Sequence, residues 1–101
     1  MSVTSIYNYE TVAASATAQV LGATGASGDY IRRLIIVPGT TSPGNVLLLD
    51  GSTSITVFTG GASSVNELRP IELDLDMVST TGAWKVTTGT NVTVIAIGDF
   101  T

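Results

Sequence analysis

The sequence predicts an all-β chain: one single-domain antiparallel β-sandwich, jelly-roll-like, of about seven strands. Three observations predict it. Thr, Val and Ile dominate the periodic segments, the residue types that suit a pleated, half-buried surface. Gly, Ser, Asn and Asp interrupt those segments at short intervals, as turns between strands do. No segment keeps a 3.6-residue apolar period long enough for a helix. Short strands with regular turns suit a sandwich or jelly roll, and 101 residues suffice for one domain.

Residues 1–10, "MSVTSIYNYE", read as an extended N-terminal arm ahead of a sandwich domain over 11–101. Tyr7 and Tyr9 fall on one side of that extended segment. They belong either to a frayed terminus or to an arm that docks its aromatics on a neighbouring subunit. Strands are expected near 11–21, 30–37, 45–50, 53–59, 71–78, 83–88 and 91–98. "LDGST" (49–53) is an Asp-Gly hairpin signal. "TTGTN" (87–91) reads as a second hairpin joining "AWKV" to "VTVIAIG". "TSPGN" (41–45) turns through a Pro with preset φ and a Gly that accepts positive φ.

"RLIIVP", "VLLLD" and "TVIAIG" are apolar on both faces, whereas a two-layer sandwich turns one face of each strand to water. Their outer faces therefore need a cover: a loop, a further strand layer or another copy of the chain. With only 12% charged residues, about half the usual fraction, subunit contact is the favoured cover.

Several function classes drop out on composition. The chain has no Cys and no His, so disulfides, thiol catalysis and an ordinary Ser-His-Asp triad are absent. Its four basic residues, Arg32, Arg33, Arg69 and Lys85, against a net charge of -4, make no nucleic-acid footprint. No apolar run reaches the roughly 20 residues of a membrane-spanning helix, and neither a membrane nor a cofactor is expected.

Four features remain as sites. "PIELDLDM" (70–77) alternates Glu72, Asp74 and Asp76 with an apolar row. Acids at i and i+2 on a strand lie roughly 6.5–7 Å apart, within reach of glycosidase geometry. A half-buried strand looks the same without function, and a solvated or salt-bridged face is the expected reading. "GATGASG" (22–28) precedes a strand instead of a helix, so it is a connecting loop and not a phosphate cradle. Trp84, the only Trp, reads as core or interface packing, since sugar platforms gather several aromatics. Arg32 and Arg33, as strand neighbours, should point to opposite faces. At least one then sits near the core or an interface, paired with Asp29, Glu67 or the acids of "ELDLD".

"GDYIRRLIIVPGTTSPGNVLLLDGS" and "GAWKVTTGTNVTVIAIGDF" together resemble small β-rich virion proteins of tailed bacteriophages, described as structural or head decoration proteins. The likeness spans residues 12–101, and "GDY", "PGTTSPG", "DGS" and "GAWKVTTG" carry it. These are turn and strand elements, not catalytic signatures. The resemblance implies a capsid decoration (cement) protein on the capsid exterior, partnered by the major capsid protein and by itself as a homotrimer. In this role it braces neighbouring capsomers and is not an enzyme. Tyr7, Tyr9, Arg32, Arg33, Glu72, Asp74, Asp76 and Trp84 are the interface candidates. The competing expectations are a tail, neck or fibre component and a small carbohydrate-binding host-attachment module.

Overall fold

The computed structural model describes residues 7–101, which form eight strands and no helix. In order these are β1 (Asn8–Val12), β2 (Gln19–Val20), β3 (Tyr30–Pro38), β4 (Val46–Asp50), β5 (Thr53–Phe58), β6 (Ile71–Val78), β7 (Trp84–Thr88) and β8 (Val92–Asp99). They build two four-stranded sheets of order β1-β8-β3-β6 and β2-β7-β4-β5. Every pairing is antiparallel. β1 begins at Asn8, so residues 8–10 of the expected arm are part of the sheet, while residues 1–6 lie outside the described residues.

Alternation makes the core. Val92, Val94 and Ala96 of β8 are buried every second residue, as are Trp84 and Val86 of β7 and Val46 and Leu48 of β4. Ile31, Leu34 and Ile36 join them from β3, and Val12, Leu21 and Phe100 complete the cluster. A fully buried Val, Leu or Ile contributes roughly 1.5–3 kcal/mol over exposure, so these rows are the main source of cohesion.

Three expectations are corrected. The segment 11–21 is not one strand: it breaks after Val12, crosses to the other sheet and resumes at Gln19. Thr88 holds the crossing, since its Oγ1 accepts from the Ala16 N–H at 2.9 Å and donates to the Ala13 carbonyl at 2.6 Å. That split gives eight strands where about seven were expected. "TTGTN" is not a hairpin either, because β7 and β8 belong to different sheets and the turn carries the chain between layers. It packs on the 41–45 turn so closely that a Cβ on Gly89 would lie 2.7 Å from the Gly44 Cα. The "LDGST" hairpin does form, pairing Asp50 with Thr53.

The third correction concerns Arg32 and Arg33. Neither enters the core, because a β-bulge falls between Ile31 and Arg33. The extra residue shifts the phase, so Ile31 and Leu34, three apart, are both fully buried while the two arginines between them stay half-buried.

Candidate functional site: the outer face of the β1-β8-β3-β6 sheet

Register places the outward side chains of this sheet in rows. Glu10–Ala96–Leu34–Leu73 and Val12–Val94–Ile36–Ile71 are opposed residues on the inner side. The rows between them face outward: Tyr9–Ile97–Arg33–Asp74 and Thr11–Ile95–Ile35–Glu72, with Thr93–Val37 beyond. Ile35, Val37, Ile95 and Ile97 thus form a half-buried apolar belt. Tyr9, 73% exposed, flanks it along β1, and carboxylates flank it along β6. Of the strands expected to be apolar on both faces, "RLIIVP" and "TVIAIG" owe that pattern to this belt, whereas "VLLLD" is β4 in the other sheet.

Two of the three acids share one arginine. Arg33 lies between two of them, with Nε 3.1 Å from Asp74 Oδ1 and Nη1 3.8 Å from Glu72 Oε2. The Nε contact is ionic only: its N–H is buried and has no hydrogen-bond acceptor, an under-satisfied donor of the kind folded chains seldom leave. Asp76 is turned away by a second irregularity in the ladder. Leu75 and Asp76 together oppose the single residue Arg32, and Asp76 takes φ +55°. Its carboxylate accepts the Tyr30 hydroxyl. That hydrogen bond, reinforced by burial and by the carboxylate charge, pushes the Tyr30 phenol up to about 12. Among the described residues no group of three or more acids is placed to hold a metal ion.

Trp84 leaves the set of interface candidates. It is 2% exposed, and its indole N–H donates to the Asp29 carbonyl at 2.8 Å in the core. Of the proposed partners for the arginines, Asp29 is taken elsewhere: its buried carboxylate accepts the Thr101 amide at 3.0 Å and the Ala26 amide at 3.1 Å. Glu67 pairs with Arg69, and Arg32 has no ion pair among the described residues. Tyr7, 43% exposed, meets Tyr30 with ring centroids 5.6 Å apart and planes at 34°.

Tyr30 and Asp50 are the residues that sequence reasoning passed over. Nothing in the spacing of Tyr30 links it to Tyr7. Asp50 follows an apolar run and starts a hairpin, but the amides it takes up lie 30 and 31 residues on, so no local signal gives them. It accepts the amides of Thr80 and Thr81 at 3.0 Å, which holds its carboxyl down at about 2. The geometry of this face is the only ground for a functional assignment, since no family model, no curated protein and no solved structure matches the chain.

Proposed function

We propose that this chain is a virion structural protein that decorates the capsid exterior of a tailed bacteriophage, binding the major capsid protein and other copies of itself as a homotrimer. The observation that carries the reading is the apolar belt of Ile35, Val37, Ile95 and Ile97, bordered by Tyr9 on one side and by Arg33 with its carboxylates on the other. An apolar centre with aromatic and Arg residues and a polar rim is the anatomy of a protein–protein interface.

The fold supports the same reading by analogy. β1 pairs with β8, β2 with β7, β3 with β6 and β4 with β5. That nesting is what a long antiparallel hairpin makes when it is rolled into two layers, and we read it as a jelly roll, an architecture common in viral shells. Fold alone does not assign function, so the belt bears the weight. The mechanism is linkage: binding to assembled capsomers and not to free ones stabilises the assembled shell by RT ln(1 + [L]/Kd). No step of this role requires chemistry, and the protein acts without catalysis.

The test mixes purified protein with heads that lack it and measures co-sedimentation. Wild type is expected to co-sediment, and Ile95→Glu with Ile97→Glu to abolish binding while circular dichroism remains that of a β protein. Failure of the wild type to bind, or undiminished binding by the double variant, rejects the proposal. Light scattering checks the trimer against a chain mass of 10.3 kDa.

A further inference from the structure

We infer that β5 is a docking edge for a second copy of the chain: two β5 strands pair antiparallel about a twofold axis, with Ile55 on the axis. Four strands end the two sheets, β1 and β6 in one, β2 and β5 in the other. Three of them carry features by which edges avoid a further strand. β2 is two residues long, β1 carries Glu10, and β6 carries Glu72, Asp74 and Asp76. β5, "TSITVF", has no charge, no Pro and no Gly. Its irregularity falls at Val57, between the pairs Leu47–Thr56 and Val46–Phe58, which leaves 53–56 in regular pairing.

The side of the sandwich that β5 borders is also where the core reaches water. Gln19 of β2 donates to the Glu10 carboxylate of β1 at 2.8 Å, so those two edges share one side while β5 and β6 share the other. Among the described residues, and Ala16 apart, the apolar side chains that border the core without being buried belong to β5 and β6. Ile55 and Met77 of the same strands are 40% and 36% exposed. The chain leaving β5 does not turn back to cover them. The Gly61 and Val65 amides donate to the Pro43 and Thr41 carbonyls at 2.8 and 3.3 Å, which carries the chain past the end of the sheet.

The backbone fixes the register. The loop Gly51–Ser52 closes on the pair Asp50–Thr53, with Gly51 at φ +62°, as a two-residue hairpin loop with Gly first requires. That closing pair is hydrogen-bonded, and along an antiparallel ladder such pairs alternate with open ones. Ser54 and Thr56 therefore turn their N–H and C=O groups to the free side. With Ile55 opposite Ile55, Ser54 of each copy exchanges hydrogen bonds with Thr56 of the other. The faces stay in phase: the two Ile55 side chains meet on the core side, and the hydroxyls meet on the outer side.

Charge selects the occupant. Copies of net charge -4 repel each other, and a direct pairing of β6 with β6 would oppose carboxylates, whereas β5 with β5 opposes none. An uncharged strand has nothing with which to steer a foreign partner, and twofold self-pairing is the commonest closed association. The β6 strands approach across the axis in the other layer, so added salt should strengthen the contact. The contact lies on the sheet that the apolar belt does not use; it and capsid decoration can each fail alone.

The experiment uses the absence of Cys from the chain. Ile55→Cys places one thiol at the axis, where the Cα atoms of an open antiparallel pair lie about 4.5 Å apart, within disulfide reach. Mild oxidation should give covalent dimers of twice the 10.3 kDa chain mass. They should form at least about tenfold faster than from Thr17→Cys, exposed in the crossing between β1 and β2. Ser54→Cys, out of register with its own copy, should be as slow as Thr17→Cys. The wild type gives a reading free of substitutions. For a dissociation constant on the order of 100 µM, its Ser54 and Thr56 amides should exchange about fourfold more slowly at about 1 mM than at about 10 µM. Equal cross-linking of Ile55→Cys and Thr17→Cys, or exchange independent of concentration, overturns the inference. Protection of these amides only when heads are added overturns it too, since β5 would then receive a strand of the shell.

Discussion

Replacing Trp84 by Phe probes the core and one buried hydrogen bond together. The indole is 2% exposed and its N–H donates at 2.8 Å to the Asp29 carbonyl. That carbonyl also accepts the Ser79 amide at 2.9 Å, so the substitution leaves no orphaned acceptor. What is lost is the net worth of one hydrogen bond, about 1 kcal/mol, and the packing of the larger ring, about 1–2 kcal/mol. The sum, about 2–3 kcal/mol, corresponds to a fall in Tm of roughly 10–20 °C for a domain of this size. Thermal denaturation followed by circular dichroism reads it. A fall below about 4 °C, the least that 1 kcal/mol gives, would refute the assignment of Trp84 to a packed core. The same variant tested against heads should bind as wild type does at temperatures where it is folded, because the buried Trp84 is not part of the outer belt.

Two further outcomes follow from the turns. The Asp50 carboxyl, held at about 2 against 3.8 by the Thr81 and Thr80 amides and hydroxyls, is a depressed acid. Its stabilising contribution is fully present above pH 3.8 and disappears as pH falls through about 2, so Asp50→Asn should flatten the acid limb of a Tm-versus-pH curve between those values; an unchanged limb contradicts the network. Gly89→Ala forces a Cβ to within 2.7 Å of the Gly44 Cα, and overpacking of that kind costs about 1–3 kcal/mol; urea denaturation should show it as a lower midpoint, and no shift would mean the two turns do not abut.

The strands readable from the sequence were those whose inward residues recur with period two. β6 spans the expected 71–78, and β3, β4, β5, β7 and β8 begin and end within a residue of expectation. The all-β class followed from the same periodicity, and two of the doubly apolar strands already pointed to an apolar outer face. These are local properties: each residue's fit to a pleated surface is set by its own side chain and its neighbours two places away.

What only the tertiary structure decided was which pieces of chain meet. Whether 11–21 ran straight or crossed between layers depended on Thr88, more than seventy residues away, offering its hydroxyl to Ala13 and Ala16. "TTGTN" had the composition of a hairpin, yet its flanking strands found better partners, β7 in β4 and β8 in β3. A bulge cannot be read from "YIRRL" because two adjacent arginines suit either register, and only the buried places of Ile31 and Leu34 select one. That bulge, and the irregularity opposite it, separate Asp76 from Asp74 and hand it to Tyr30. Three tyrosines at positions 7, 9 and 30 carry no spacing signal; they converge because β1 and β3 flank β8 in one sheet. Residue types and periodicity suffice to make strands, while sites made by distant strands exist only once the pairing energy of the whole sheet has chosen their order.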